Sequence, residues 1–196
     1  YLEINRALWS AFDRGEVEED SLTVERFRRL GERLGRSADP AAMNRRYLDH
    51  LGECSVLLPG AEELCRTLWE AGCRLALATN GVARVQHARL AGSPLASYLE
   101  RLFISGEMGT RKPEPAFFRA ALSAMGAEDK SRCVMVGDGL GSDVKGALRA
   151  GLDVIWFAPG GGTAPAELKP TYTARSLEEI GHIVCPNTSE YIERRS

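Results

Sequence analysis

The first 58 residues carry hydrophobic side chains at helical spacing only. Three series of such positions are separated by Gly15 and by the segment SADP at 37–40. The first series consists of Tyr1, Ile4, Leu8 and Phe12, and the third consists of Met43, Tyr47, Leu48 and Leu51. No run in this region has the length and continuous hydrophobicity of a buried strand. The pattern therefore predicts an all-helical module over residues 1–58.

The middle helical series, which starts near Ser21, has a second face that is rich in arginine. The arginines of this face are Arg26, Arg28, Arg29, Arg33 and Arg36. A solvated surface is the favoured interpretation of such a charged face. A rim that attracts an anionic substrate is the less favoured alternative.

After Pro59 the pattern changes, and short apolar runs alternate with helical stretches. The runs are CRLALAT, RLFIS, RCVMVG, DVIWF and TYTA. They lack polar alternation, as strands buried on both faces of a sheet require. Strands that alternate with helices indicate parallel βαβ units. The sequence predicts an α/β protein: a Rossmann-like parallel sheet over 59–184 with helices on both faces, a small all-helical module before it and a tail over 185–196.

Composition and charge exclude several classes of protein. Hydrophobic residues make up 44% of the chain and charged residues 27%, and the net charge is −2. This balance is globular and gives little support to a nucleic-acid partner. No apolar stretch approaches the roughly 20 residues of a membrane span, so no membrane association is expected. The five cysteines include no CxxC pair, which predicts a reduced, cytoplasmic protein.

The first candidate for chemistry is the segment TNG at 79–81, which follows an apolar run. Ligands of open parallel sheets bind beyond the carboxyl ends of the strands. Thr79, Asn80 and Gly81 place a hydroxyl, an amide and a helix start at such an end, and this combination suits a phosphate group. The alternative is that Thr79 or Asn80 only caps the helix that follows.

The second candidate is Lys112, which stands directly before Pro113. Proline restricts the backbone of the residue before it, so this lysine is held on a stiff turn. A lysine held beyond a strand can direct its ammonium group at a phosphoryl group. An ordinary solvated lysine in a proline-rich turn is the alternative.

The third candidate is the stretch VMVGDGLGSDVKGALRAG at 134–151, in which Asp138 leaves a predicted strand and Asp143 follows five residues later. The glycines let the backbone turn sharply and bring both carboxylates toward one point. Oxygen ligands without nearby His or Cys suit Mg²⁺. Asp138 is the predicted metal ligand. Asp143 is either a helix N-cap, a support of the metal site from behind, or both.

Three motifs in this order resemble the haloacid dehalogenase-like (HAD) hydrolase superfamily. ATNG resembles its second motif, RKPEP its third and GDGLGSD its fourth. The resemblance extends from Pro59 to about Val184, and the helical module before it corresponds to the helical cap of the family. Within that module, NRALWSAFDRGEV and VERFRRLGERLG are similar to the cap of noncanonical pyrimidine nucleotidases.

The resemblance implies a Mg²⁺-dependent phosphatase that acts on small phosphate monoesters, above all nucleoside 5′-monophosphates, through an aspartyl-phosphate intermediate. The residues that match are Lys112 and Thr79 for catalysis, Thr79, Asn80, Gly81 and Lys112 for phosphate binding, Asp138 for the metal and Asp143 as its support. A haloacid dehalogenase is the nearest rival, but its fourth motif lacks the Gly-Asp found here. A phosphomutase and a catalytically inactive phosphate-binding module are further alternatives.

The first motif of the family, an apolar strand followed by Asp-x-Asp, has no match in this chain. The segments FDRG at 12–15 and EEDS at 18–21 lie in helical or turn contexts, so no nucleophile is assigned. Either an upstream segment carries it, or the protein is a pseudoenzyme. The family places this strand in the centre of the sheet, and its loss would leave two rows of unpaired backbone groups. We therefore expect upstream residues that include the nucleophile.

Overall fold

The computed structural model describes residues 1–186 of the 196-residue chain, so most of the predicted tail at 185–196 lies outside the described residues. The amino-terminal part is helical, as predicted. Its helices are α1 (Leu2–Asp13), α2 (Glu19–Arg33) and α3 (Pro40–Glu53). Helix α2 packs against both of the others. Asp39 starts α3 by accepting hydrogen bonds from the amides of Ala41 and Ala42, with Pro40 at the first helical position.

Arg26 contradicts the prediction of a fully solvated arginine face, because it is only 3% exposed. Its guanidinium group donates to Oδ1 of Asn44 at 3.0 Å and to Oδ1 of Asn5 at 3.3 Å, and it lies 4.5 Å from the ring centre of Tyr47. These contacts satisfy the buried cation and tie α1, α2 and α3 together. The exposed arginines Arg28, Arg29 and Arg33 pair with surface glutamates.

The strands of the described residues are all parallel to their neighbours. They are β1 (Leu75–Thr79), β2 (Leu99–Ile104), β3 (Val134–Gly137), β4 (Asp153–Phe157) and β5 (Tyr172–Ala174). They form two sheets within residues 1–186, one of order β1-β2 and one of order β3-β4-β5. The predicted parallel arrangement is confirmed, but β1 and β3 are not paired with each other.

The unpaired edge of β3 carries apolar side chains that remain accessible. Val134 and Val136 are each 38% exposed, and both belong to β3, which within the described residues is paired with β4 on one side only. Valine is a residue of buried strands, and an open strand edge presents unsatisfied backbone groups. The side of β3 that faces away from β4 is therefore unpaired in the described residues.

Helices cover both faces of the strands, as predicted. They are α4 (Ala61–Glu70), α5 (Ala83–Ala91), α6 (Ser105–Met108), α7 (Pro115–Ala124), α8 (Lys145–Ala150) and α9 (Leu177–Val184). Successive residues of β4 point to opposite faces. Val154 and Trp156 pack in the cluster of α7 and α8, whereas Ile155 packs with Ile180 of α9 and Leu64 of α4. None of the helices in the described part combines the length and hydrophobicity that a membrane crossing requires.

The helical module contacts the rest of the chain through α1, which packs against the turn at Leu140–Val144, and through α3, which packs against α5. Arg84 of α5 forms an ion pair with Asp49 of α3 at 2.7 Å. The Ser55 hydroxyl donates to the carbonyl oxygen of Arg89 at 3.0 Å, and Nε of Arg89 donates to the carbonyl oxygen of Cys54 at 3.0 Å. Because α5 follows β1, these contacts hold the module at the carboxyl end of that strand.

Gly146→Ala is expected to destabilise the fold, because α8 approaches its neighbours closely at this glycine. A Cβ atom there would lie 2.6 Å from Cζ of Phe118 and 3.0 Å from Cα of Pro113. Phe118 is buried, so a shift of its ring would disturb the core around it. We expect a loss of about 1–3 kcal/mol in the free energy of unfolding, measured by urea denaturation. Gly106→Ala is the control, since its Cβ would meet nothing within 4 Å. Equal midpoints for the two variants would contradict the expected clash.

Candidate active site

The segment after β1 forms a tight turn before α5. The amide of Gly81 donates to Oγ1 of Thr79 at 3.0 Å, and α5 begins two residues later at Ala83. A Cβ atom on Gly81 would lie 3.1 Å from Cδ of Gln86 and 3.2 Å from Oγ1 of Thr79. A larger residue at position 81 would therefore crowd the Thr79 hydroxyl. The turn presents a hydroxyl group and backbone amides at the carboxyl end of β1.

Asn80 is buried and holds the turn that contains Lys112. Its Nδ2 donates to the carbonyl oxygen of Lys112 at 2.8 Å, and the Lys112 amide donates back to Oδ1 of Asn80 at 3.0 Å. Asn80 is 8% exposed, so these bonds are shielded from water. Its side chain is committed to positioning Lys112, which leaves only its backbone amide for the predicted contact with phosphate.

Lys112 connects the two sheets at their carboxyl ends. Its Nζ donates to the carbonyl oxygen of Ala78 on β1 at 2.7 Å and to Oδ1 of Asp143, beyond β3, at 2.7 Å. The lysine is 7% exposed and the aspartate 5%. Lys112 is therefore not an ordinary solvated lysine, and the alternative interpretation of its motif is wrong. A buried charge of this kind is held in place by its partner and is costly to leave unpaired.

Asp143 has both carboxylate oxygens engaged. Besides Lys112, it accepts a hydrogen bond from the amide of Gly139 through Oδ2 at 3.1 Å. Asp143 lies within a π-helical turn, Leu140–Val144, and it does not cap α8. The N-cap alternative is therefore wrong. The backbone of Gly137 passes so close that a Cβ there would lie 2.7 Å from Cβ of Asp143, so the acidic turn and its glycine form one packed unit.

Asp138 lies between Gly137 and Gly139 in the same turn, and its residue surface is exposed. Its carbonyl oxygen accepts a hydrogen bond from Nε1 of Trp156 at 3.2 Å, which fixes the backbone at this point. The structure thus brings the segments of Thr79, Lys112 and Asp138 to one edge of the fold, linked through the Lys112–Asp143 ion pair.

The oxygen ligands available at this edge are of the chemical type that Mg²⁺ prefers. An exposed carboxylate at Asp138 is a hard oxygen ligand, and Mg²⁺ is typically held by one or two carboxylates together with water and phosphate oxygens. Residues 1–186 contain no group of three His, Cys, Asp or Glu side chains that could hold a metal by themselves. Asp138 would therefore share the ion with ligands other than the described side chains. Asp143 would act behind it, since its oxygens are occupied.

Asp13 is a residue of this region that sequence reasoning missed. It ends α1, and a Cβ atom added to Gly141 would lie 3.2 Å from its Oδ2, so the two residues are close together. Burial, and next the charge of Asp143, raise the pKa of the Asp13 carboxyl to about 6, while the positive charges of Lys112 and Arg111 and a hydrogen bond with Ser142 oppose that rise. The FDRG segment has the helical or turn context that the sequence predicts, since α1 ends at Asp13 and a turn follows, but Asp13 reaches the candidate site. Spacing along the chain carries no signal for this contact, because the two segments meet only through the packing of α1.

Comparison with known proteins decides the family. A family model described as a haloacid dehalogenase-like hydrolase matches residues 6–151, which is more than half of the chain. The chain belongs to the HAD-like hydrolase family. The match includes all three motifs that suggested the resemblance, and the prediction of a HAD-type hydrolase is confirmed.

Two curated relatives of this HAD hydrolase are named as pyrimidine 5′-nucleotidases. PynA of Streptococcus pneumoniae is 31% identical over 192 residues, which cover 98% of this chain and 81% of PynA. YjjG of Escherichia coli is 32% identical over 185 residues, which cover 94% of this chain and 81% of YjjG. The predicted similarity to pyrimidine nucleotidases within the family is confirmed.

A solved structure supports the HAD fold. The putative HAD hydrolase YfnB of Bacillus subtilis, bound to magnesium, has a TM-score of 0.88 and 34% identity, and the match covers 94% of this chain and 81% of YfnB. The L-2-haloacid dehalogenase RSc1362 has a TM-score of 0.71 at 20% identity, with 84% of this chain and 71% of the dehalogenase covered. This second likeness shows the fold alone.

Proposed function

We propose that this HAD hydrolase is a Mg²⁺-dependent phosphatase that hydrolyses small phosphate monoesters, and that nucleoside 5′-monophosphates are its substrates. Residues 1–58 form its cap and residues 59–184 its core, in the reduced cytoplasmic setting that the cysteines predict. The observation that carries the proposal is the buried Lys112–Asp143 pair at 2.7 Å, which places a fixed cation where the strand ends meet. A fixed cation at this place suits a phosphoryl group.

The residues of this chain have distinct parts in the proposed reaction. The Thr79 hydroxyl and the amides of Asn80 and Gly81 bind phosphoryl oxygens, since they lie at the carboxyl end of β1. Lys112 neutralises charge that develops on the phosphoryl group, and Asn80 and Asp143 keep its position constant during the reaction. Donors that are already oriented cost no reorganisation when charge develops.

Asp138 is the proposed direct ligand of the metal. The Mg²⁺ ion, when bound, supplies positive charge that lowers the repulsion between an anionic nucleophile and a phosphate dianion. The turn of Gly137 and Gly139 presents the Asp138 side chain beside Asp143, and the bond from Trp156 fixes its backbone. The magnesium in the structure of YfnB supports this assignment.

The nucleophile is proposed to come from a strand seated between β1 and β3. This proposal is supported by the absence of pairing between β1 and β3 in the described residues and by the partial exposure of Val134 and Val136 on β3. A parallel strand in this place would end beside Lys112, so an aspartate at its carboxyl end would face the phosphoryl site. Attack by that carboxylate on the phosphorus breaks the ester P–O bond and forms an aspartyl-phosphate, and the substrate alcohol leaves after it takes up a proton. Water then attacks the phosphorus, which releases inorganic phosphate and restores the carboxylate.

The substrate class is proposed from the relatives named as pyrimidine 5′-nucleotidases. The helical module reaches the acidic turn, because Asp13 at the end of α1 forms a hydrogen bond with Ser142. A cap that touches the catalytic turn is placed to exclude water and to select the leaving group.

Phosphate release by the full-length protein tests the proposal. The panel contains dUMP, dTMP, UMP, a purine nucleotide and sugar phosphates, each with Mg²⁺ and with excess EDTA. We expect release that requires Mg²⁺ and is fastest with the pyrimidine nucleotides. Halide release from a 2-haloacid without metal would identify a dehalogenase instead. Absence of phosphate release from every ester, with a folded protein, would indicate the inactive phosphate-binding module.

A further inference from the structure

Two cysteines that are 112 residues apart in sequence lie side by side in the fold. The Sγ atoms of Cys73 and Cys185 are separated by 3.9 Å, and both residues are partly buried. A disulfide bond has a length of about 2.05 Å, so the two sulfurs need to approach each other by roughly 2 Å to form one. Neither residue belongs to the proposed active site.

The backbone around both thiols is held in place. Cys73 follows Gly72, whose φ of +82° permits the turn out of α4, and the Cys73 amide donates to the carbonyl oxygen of Leu68 at 2.9 Å. Cys185 directly follows α9, and its amide donates to the carbonyl oxygen of Gly181 at 2.8 Å. The proximity of the sulfurs therefore follows from two anchored segments.

The packing of α9 against α4 brings these segments together. A Cβ on Gly181 would lie 3.4 Å from Cδ1 of Leu64, so the two helices touch at ordinary van der Waals distance. Ile180, one residue earlier, is buried against Ile155 of β4. The same contacts that form one face of the core thus set the two thiols opposite each other.

We propose that Cys73 and Cys185 are a modification site that forms a reversible intramolecular disulfide with a peroxide as oxidant. One thiol is oxidised by hydrogen peroxide to a sulfenic acid, with release of one water molecule. The second thiol attacks this sulfur, the S–S bond forms and a second water molecule leaves. In total two thiols lose two electrons and two protons, and one peroxide is reduced to two waters.

The bond would join the two sheets covalently at the edge opposite the candidate active site. Cys73 precedes the amino end of β1, whereas Thr79 is the last residue at its carboxyl end. Cys185 follows α9, which packs on the β3-β4-β5 sheet through Ile155 and Ala174. The ion pair of Lys112 connects the sheets at one edge, and the disulfide would connect them at the other. Closure of such a long loop restricts the unfolded chain strongly.

Oxidation of the full-length protein with hydrogen peroxide tests the proposal. We expect a mass loss of about 2 Da per chain and a tryptic peptide 67–74 joined to the peptide that begins at Ser176. The melting temperature of the oxidised protein should rise by roughly 10 °C, and a phosphine reductant should reverse both changes.

Serine variants provide the controls. Cys73→Ser and Cys185→Ser should each lose the cross-link and the rise in melting temperature, and Cys133→Ser should retain both. Absence of the 73–185 peptide after oxidation of the wild-type protein would overturn the proposal, whether the thiols stay reduced, pass to sulfinic acid or link separate chains. A similar rise in melting temperature for Cys73→Ser would also overturn it.

Discussion

Replacement of Lys112 by methionine is expected to lower kcat by about 100- to 1000-fold, the loss seen when one oriented donor is removed from an active site. The variant should also lose about 3–5 kcal/mol of unfolding free energy, because Asp143 is 5% exposed and would keep a buried charge without its partner. Phosphate release under saturating substrate and Mg²⁺ measures the first effect, and urea denaturation measures the second.

A double variant separates these two effects. In Lys112→Met/Asp143→Asn the buried charge is gone, and the amide oxygen of residue 143 can still accept from Gly139. We expect the double variant to recover most of the stability but none of the turnover. Lys130→Met is the matched control, since Lys130 donates to the carbonyl oxygen of Ala150 at 2.8 Å, away from the site. Recovery of turnover in the double variant would mean that Lys112 serves the fold alone.

The parallel fold could be predicted from local patterns, because short apolar runs between helical stretches leave few other solutions. The run DVIWF is an example, since Val154, Ile155 and Trp156 are all buried and no polar alternation interrupts them. The division into two sheets could not be predicted in this way. Pairing between strands depends on segments that are distant in sequence. The residues of β1 or β3 alone therefore do not determine which strand pairs with them.

In the candidate site, too, the local sequence predicts which residues lie at the strand ends but not the contacts between segments that are far apart in the chain. The sequence predicts Thr79, Lys112 and Asp143 as candidate residues because each lies at or beyond the carboxyl end of a strand, and parallel strands end at the same edge of a sheet. Asn80 lies in the first motif found, yet its side chain binds the Lys112 backbone 32 residues away. The hydrophobic periodicity of α2 predicts a solvated position for Arg26, because it contains no information about the side chains of Asn5 and Asn44, which accept hydrogen bonds from Arg26. Contacts between separate elements account for each of these differences.

The Lys112–Asp143 ion pair has both a structural part and a proposed catalytic part. Lys112 bonds to β1 through Ala78 and to the acidic turn through Asp143, so the cation that would meet the phosphoryl group also bridges the two sheets. Asp138 is in a different position. It is exposed, and its backbone rather than its side chain is tied to Trp156. The two residues therefore allow stability and chemistry to be tested separately.

Asp138→Asn is expected to leave the fold almost unchanged and to remove most of the activity. Because Asp138 is exposed, the free energy of unfolding should change by less than about 0.5 kcal/mol. Loss of a charged oxygen ligand should raise the Mg²⁺ concentration needed for half-maximal rate and lower kcat/KM by roughly 100-fold. Titration of phosphate release with Mg²⁺ measures both changes.

Asp153→Asn is the matched control for this titration. Asp153 is also exposed, but it starts β4 and so lies at the opposite edge of the sheet. Its substitution should leave the Mg²⁺ dependence as it is, although the contact with the Thr171 hydroxyl is altered. If Asp138→Asn and Asp153→Asn gave the same half-saturating Mg²⁺ concentration and the same kcat/KM as the wild-type protein, Asp138 would not be a metal ligand. The turn around Gly137 and Gly139 would then serve only to hold Asp143 against Lys112.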